Sequence, residues 1–315
     1  MTTANGDLEI ARLTNVTLES GATIPNVDIA YRIWGDINAD QSNVVLFPSW
    51  FTGGGDSLAA FEFIGPGKLA DTDGYTVIAL DALANGVSTL PDSNVSVSDM
   101  VTTHYQVVTE ALGISHVNAV MGISLGGTQT IEWMLRYPDF MDHAVPIVGS
   151  PRMTPADLIG HRPEIDAINA FADSNVDVAL VQRLLAGQHT RNVWHADFLN
   201  SADAAAPDEV IKEVAGLSNF DRFTPAHWKA QLEAAMTYDA YRGRGDIPET
   251  AALVQTRVLS ITAKQDYWND ATPQRELAAA IAGSQSLELE GPCGHLNTAC
   301  ENELLADTVN RFLLD

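Results

Sequence analysis

The run from Val117 to Pro138, VNAVMGISLGGTQTIEWMLRYP, constrains this chain more than any other. A short apolar segment ends at Gly122-Ile123-Ser124-Leu125-Gly126 and a helix-forming segment begins at once, which reads as strand, sharp turn and helix. A G-x-S-x-G turn needs small residues on both sides of the serine so that the backbone can double back and leave the hydroxyl exposed. Ser124 is therefore the candidate nucleophile. The plain alternative is a strand-to-helix turn in which Gly126 and Gly127 serve only close packing. Context favours the first reading, because the preceding run has the length of a buried parallel strand and Pro138 stops the helix.

Around this segment strands and helices alternate. Leu8 to Leu18 and Val27 to Trp34 are β-rich runs separated by Gly21 and Pro25, an antiparallel pair at a sheet edge. Asn43 to Phe47 is a short apolar strand leading into Pro48-Ser49-Trp50-Phe51-Thr52-Gly53-Gly54-Gly55, a loop that a ligand can approach closely. The Lys-Ser/Thr ending of a phosphate loop is missing. Tyr75 to Leu80 is another buried strand. Ser96 and Asp99 form a capping-box pair at the start of a helix with Val101, Tyr105, Val108 and Leu112 on one face, closed by Gly113. A strand follows around His143 to Val148.

The character then changes. Residues 151–248 contain amphipathic helical patches, an Ala-Asp-rich piece (SADAAAPDE) and the aromatics Trp194, Phe198, Phe220, Phe223 and Trp228, but no convincing strand. This reads as a helical cap inserted into a core domain of residues 1–150 and 249–315, lying over the sheet edge where open α/β folds bind ligands. An oligomerisation subdomain is the alternative. The sheet resumes at Arg257 to Thr262. A helix from Thr272-Pro273 to near Gly283, a strand over Ser286 to Leu289, and a helix carrying Leu305, Val309 and Phe312 on one face complete the chain.

Charge narrows the partners. Asp and Glu number 41 against 17 Lys and Arg, a formal charge of -24 that repels nucleic-acid phosphates and anionic membrane surfaces. No run is long and apolar enough to span a bilayer, and the first ten residues lack the regions of a signal peptide, so a cytoplasmic location is expected. Cys293 and Cys300 read as two reduced thiols in or beside a helix. His189, His195 and Asp197 are the nearest thing to a metal cluster but fall short of a ligand set, so no metal or cofactor is expected.

A serine hydroxyl is a weak nucleophile unless a base takes its proton and a third group orients that base. In α/β-hydrolases the order along the chain is Ser, then Asp or Glu, then His. Here Asp266 follows the RVLSIT strand and His295 follows the last strand in GPCGH, both in loops at C-terminal strand ends. Asp270 is the alternative acid, and either aspartate is also placed to cap the helix at Thr272. The other seven histidines lie in helices, in the inserted segment or at strand starts, where none is expected to face Ser124. An oxyanion formed at the attacked carbonyl needs two donors: the amide of Leu125, directly after the nucleophile, and that of Trp50 or Phe51 in the loop after the third strand. Arg152 is placed to bind a substrate carboxylate or to form a surface ion pair. Tyr267 and Trp268 are placed to line an acyl pocket or to pack under the cap.

At this point the sequence resembles the homoserine O-acetyltransferase group of α/β-hydrolase-fold enzymes. The resemblance runs through LESGATIPNVDIAYRIWGDINADQSNVVLFPSWFTG, IGPGKLADTDGYTVIALD, SVSDMVTTHYQVVTEALGI and VMGISLGGTQTIEWMLRYPD, and returns at Asp266 and Gly294-His295. It implies a mostly parallel central sheet flanked by helices. It also implies a ping-pong mechanism in which Ser124 takes an acyl group and passes it on, with Asp266 and His295 as partners and Phe51 as the second oxyanion donor. A homodimer with the cap at its interface is implied as well. Acetyl-CoA enters only if the enzyme is an acyltransferase.

The departures bear on substrate. The family carries Asp directly after the catalytic His, where it helps hold the amino group of homoserine; here that position is Leu296, which cannot pair with an ammonium ion. The elbow reads Ile123-Ser124-Leu125 rather than Gly-Ser-Met, and the segment after the fourth strand reads LANGVSTLPDSN. The expected chemistry is hydrolysis of a small ester through an acyl-enzyme. Transfer from acetyl-CoA to homoserine or another alcohol is the alternative, and a binding protein that keeps the fold without catalysis is a third.

Overall fold

The computed structural model describes residues 4–172, 176–201, 209 and 223–314. Phe220 and residues 202–208 of the Ala-Asp-rich piece lie outside them. Two long strands, β1 (Ala4–Thr17) and β2 (Thr23–Gly35), pair antiparallel from Ala4 opposite Gly35 to Thr17 opposite Thr23. Two short strands, β4 (Ile64–Gly65) and β5 (Ala70–Asp71), pair only with each other. The main sheet is completed by β3 (Val44–Pro48), β6 (Thr76–Leu80), β7 (Val117–Ile123), β8 (Met141–Ile147), β9 (Arg257–Ala263) and β10 (Gln285–Leu289). Its order is β1-β2-β6-β3-β7-β8-β9-β10, and every pairing from β6 onward is parallel.

The strand sequences explain this layering. Every residue of β3 and β6 is buried, without the in-out alternation of a half-exposed strand, because helices cover both faces. On one face Val101 and Val108 pack with Ile131 and Trp133; on the other Leu58 and Phe63 join Leu305, Val309 and Phe312 of the helix Asn302–Leu314. The helix Val97–Gln106 starts at a complete capping box between Ser96 and Asp99, passes through a π-helical turn at Val107–Ala111, and ends at Gly113, where φ is +68°.

Between β8 and β9 the described residues form the helices Pro155–Ala172, Val178–Val193, Ala196–Ser201, Pro225–Thr237 and Ile247–Ala251, with no strand among them beyond single bridges. Three of these helices converge on one fully buried carboxylate: Glu164 accepts from the Trp228 indole N–H at 2.7 Å and from the Asn192 amide at 3.1 Å. His161, on the same helix as Glu164, donates from Nε2 to the Trp268 carbonyl at 3.0 Å. The inserted helices are thereby tied to the loop that follows β9. Among the described residues no helix is long and apolar enough to cross a membrane.

Candidate active site

β7 enters the turn at Gly122, and Ser124 adopts φ +60° and ψ −122°, a conformation that side chains rarely take and that a sharp elbow imposes. The glycines of the motif have a steric cause. A Cβ at Gly122 would strike the backbone of Gly126, and one at Gly126 would come within 2.5 Å of the Pro48 carbonyl oxygen. The helix Leu125–Arg136 therefore starts hard against both β7 and the loop after β3. Ser124 is held from behind by its amide, which donates to the Ile147 carbonyl at 2.8 Å.

The structure brings Ser124, His295 and Asp266 together. His295 Nε2 lies 2.8 Å from Ser124 Oγ, and His295 Nδ1 lies 2.7 Å from Asp266 Oδ2. Because Asp266 accepts from Nδ1–H, Nε2 is left with a lone pair facing the hydroxyl. The other oxygen, Oδ1, accepts the amides of Trp268 at 2.8 Å and Asn269 at 3.0 Å, which fixes the carboxylate's orientation. Asp270 is placed elsewhere: its carboxylate accepts the Thr272 amide at 2.7 Å and its own amide donates to Asp157.

Opposite the elbow, the loop after β3 is pinned by two buried amides. Asn85 donates to the Ser49 hydroxyl, the Trp50 carbonyl and the Gly53 carbonyl at 3.0, 2.9 and 3.1 Å, and Gln129 donates to the Ser49 carbonyl at 2.9 Å. Phe51 is buried in this loop, and Leu125 opens the helix, so the Leu125 amide has no acceptor within it. Of the glycines beyond, Gly55 gives its amide to the Asp81 carboxylate at 2.7 Å.

Ser124 and His295 lie at the wall of a cavity of about 790 Å³, counting its open mouth. Trp50, Phe51, Phe61, Phe63 and Ile123 line one part; Val193, Trp194, Leu296 and Ala299 line another. Among the described residues its lining includes no Asp, Glu, Lys or Arg. Arg152 is outside it, paired with Asp239 at 3.8 Å and stacked over Tyr241. Tyr267 is half exposed, with its hydroxyl 3.1 Å from His195 Nε2, and Trp268 is buried against Phe51, His161 and His189.

Two expectations are corrected. Cys293 and Cys300 are not free thiols but a disulfide, with Cα atoms 6.5 Å apart. The one-turn helix Asn297–Cys300 folds the chain back on itself, so residues seven apart meet and close a loop around His295. His189 is not remote from Ser124 but lines the same cavity, because the helix Val178–Val193 crosses the sheet edge there. Its sequence context, in the middle of an amphipathic helix, carried no signal of this. His195 is turned away, toward Tyr267 and the Asp197 amide.

The chain is 31% identical over 175 residues to an ethyl acetate hydrolase of Pseudomonas veronii, a match covering 52% of this chain and only 50% of that protein. It is 27% identical to a homoserine O-acetyltransferase of Chlorobium chlorochromatii over 94% of this chain and 92% of the relative. The solved structure of an acetylester hydrolase from Corynebacterium glutamicum superposes with a TM-score of 0.89 at 22% identity, over 98% of this chain and 96% of the other. The description of the alpha/beta hydrolase fold matches residues 43–297, the span that contains the elbow, the acid loop and the histidine loop, and the chain belongs to that family.

Proposed function

We propose that this chain is a serine esterase that hydrolyses small neutral esters through an acyl-enzyme, with Ser124, His295 and Asp266 as its catalytic triad. The observation that carries the reading is the relay Ser124–His295–Asp266 opening onto a cavity lined, among the described residues, by no Asp, Glu, Lys or Arg. Ser124 Oγ attacks the ester carbonyl carbon as His295 Nε2 takes its proton, and the amides of Phe51 and Leu125 hold the resulting oxyanion. His295 then returns the proton to the departing alkoxide, leaving an alcohol and acylated Ser124. Water, deprotonated by the same nitrogen, attacks the acyl carbon, and as the acyl bond to Ser124 Oγ breaks His295 returns that proton to Oγ, releasing the carboxylic acid and restoring the serine hydroxyl. Asp266 keeps the imidazole in the required tautomer and stabilises the imidazolium. Beyond substrate and water, these steps draw only on groups of this chain.

The inserted helices act in this reading as a cap, since His189, Val193 and Trp194 shape the cavity. Leu296 directly follows the base and presents an aliphatic wall, so homoserine would find no counter-ion for its ammonium. Acyl transfer to an alcohol is the second reading. It is favoured by the similarity to a homoserine O-acetyltransferase over nearly the whole chain, and differs only in what His295 deprotonates in the second half-reaction. The deciding experiment gives p-nitrophenyl acetate or acetyl-CoA to the protein with and without homoserine, using Ser124→Ala as the blank. Free acetate at a rate indifferent to homoserine is expected. O-acetylhomoserine would replace hydrolysis by transfer, and failure of a fluorophosphonate to label folded protein would leave a binding protein.

A further inference from the structure

Six histidines are buried, and five of them make at least one hydrogen bond through a ring nitrogen: His104 to the Asp81 carbonyl, with its Nδ1 unpaired among the described residues, His143 to the Asn118 carbonyl, His161 to the Trp268 carbonyl, His195 to Tyr267, and His295 to Ser124 and Asp266. His189 is the exception. It is 8% exposed, it lines the cavity that holds Ser124 and His295, and its Nδ1 is sealed from solvent with no hydrogen-bond partner among the described residues. Phe51, Trp228 and Trp268 surround the ring at centroid distances of 5.6, 5.3 and 4.9 Å, which fixes its plane but supplies no acceptor.

A phenylalanine would fill such an aromatic niche without the roughly 1–3 kcal/mol that an unpaired buried polar group costs. With Nδ1 sealed, Nε2 is the ring atom able to meet a ligand. Burial, reinforced by His295 and His161, pushes the His189 imidazole down to about 3, so the ring is neutral. A neutral ring has one N–H, and unpaired buried N–H groups are rarer than unpaired acceptors, which puts the proton on Nε2.

We propose that His189 is a specificity-determining residue whose Nε2–H hydrogen-bonds a neutral oxygen that the substrate carries beyond its reacting ester group. The inference rests on the esterase reading above. It names the substrate class more narrowly: small acyl compounds with an ether, hydroxyl or keto oxygen on an otherwise apolar frame. A carboxylate is disfavoured because the lining includes no Lys or Arg among the described residues, and a plain alkyl ester leaves the imidazole unpaired.

Two isosteric pairs test it: methoxyethyl acetate against butyl acetate places the extra oxygen on the alcohol side, and methyl methoxypropanoate against methyl pentanoate places it on the acyl side. The wild-type protein is expected to prefer the oxygen-bearing member of one pair, identifying the side that faces His189. In His189→Phe that ratio of kcat/KM falls by about tenfold or more, mainly through KM, the scale expected for a buried hydrogen bond lost to one substrate and not to its isostere. His189→Gln, which keeps an N–H donor, restores part of it and serves if the Phe variant does not fold. No preference in either pair, or an equal fall for both members of each pair, overturns the proposal. If the wild-type protein hydrolyses none of the four, the esterase reading fails first and this inference falls with it.

Discussion

Asp266 and His295 lie 29 residues apart in the chain, yet Asp266 Oδ2 is 2.7 Å from His295 Nδ1 while its second oxygen is held by two backbone amides. A carboxylate locked from both sides can impose one tautomer on the imidazole. Replacing Asp266 with Asn leaves the shape but presents an amide whose orientation is set by the same backbone donors, turning its NH2 toward Nδ1. Asp266→Asn is therefore expected to lower kcat by about 10⁴, as wrong-tautomer variants of other triads do. Asp270→Asn, which keeps an oxygen for the Thr272 amide, should stay within about threefold in activity and within about 0.5 kcal/mol in stability. Comparing kcat for the two variants decides the acid; a reversed order would move that role to Asp270.

Leu296 lines the cavity beside His295. Leu296→Asp charges this apolar wall, and kcat/KM for butyl acetate should fall by about tenfold. Homoserine, which on the esterase reading leaves the rate of the wild-type protein unchanged, should become a competitive inhibitor or an acceptor. Unchanged kinetics with both compounds would mean that this side chain does not share the cavity with His295.

The Cys293–Cys300 bridge closes a loop that carries His295 and three further cavity residues, Leu296, Thr298 and Ala299. For a loop this short, chain entropy alone gives a stabilisation of about 2–3 kcal/mol. Cys293→Ser/Cys300→Ser, or the reduced wild-type protein, should unfold at a lower temperature and lose more in kcat than it gains in KM, since the base is less firmly held. Thermal unfolding with and without a dithiol reductant measures the first effect, and acetate release measures the second. Equal transition temperatures would show that the bridge does not form in solution.

Burial pushes His104 from its ordinary value of 6.5 down to about 4, with Nε2–H donating to the Asp81 carbonyl. Between these values the unfolded chain binds a proton that the native protein does not, so stability is fully present above about pH 6.5 and is lost as pH falls toward 4. The loss amounts to about 3 kcal/mol for this residue. His104→Gln keeps the bond to Asp81 and removes the titration. Its transition temperature should fall less than that of the wild-type protein between pH 7 and 4.5. A parallel fall in both would show that His104 does not contribute to acid lability.

Glu164 gathers three inserted helices, and Glu164→Ala would remove the acceptor of the Trp228 indole bond and of the shorter of the Asn192 amide's two contacts in a dry site. About 3–5 kcal/mol of destabilisation is expected from chemical denaturation, with Glu164→Gln closer to the wild-type value. A loss below about 1 kcal/mol would mean that the insertion does not depend on this network.

Much of the sheet was legible from local pattern. β3 is an uninterrupted apolar run, and β6, β7 and β9 are broken only by Thr76, by Asn118, and by Arg257, Ser260 and Thr262; such runs suit strands covered on both faces. The elbow announced itself because the close approach of Gly122 to Gly126 restricts residue type within five positions. The order Ser, Asp, His followed from loops at strand ends, and those loops are where a parallel sheet displays side chains. Local pattern favoured Asp266 but left Asp270, four residues on in the same loop, as the alternative acid, since either suits a turn. That choice depends on which carboxylate the Trp268 and Asn269 amides turn toward His295. The disulfide and the place of His189 were equally hidden. One requires the helical turn that brings Cys300 back to Cys293; the other requires an inserted helix to carry His189, 65 residues beyond Ser124, across the sheet edge. Periodicity, caps and steric limits act over a few residues and are written in the sequence itself. Which side chains share a cavity is settled by packing between distant segments, and for Ser124 and His295, 171 residues apart, only the folded core brings the partners within a hydrogen bond.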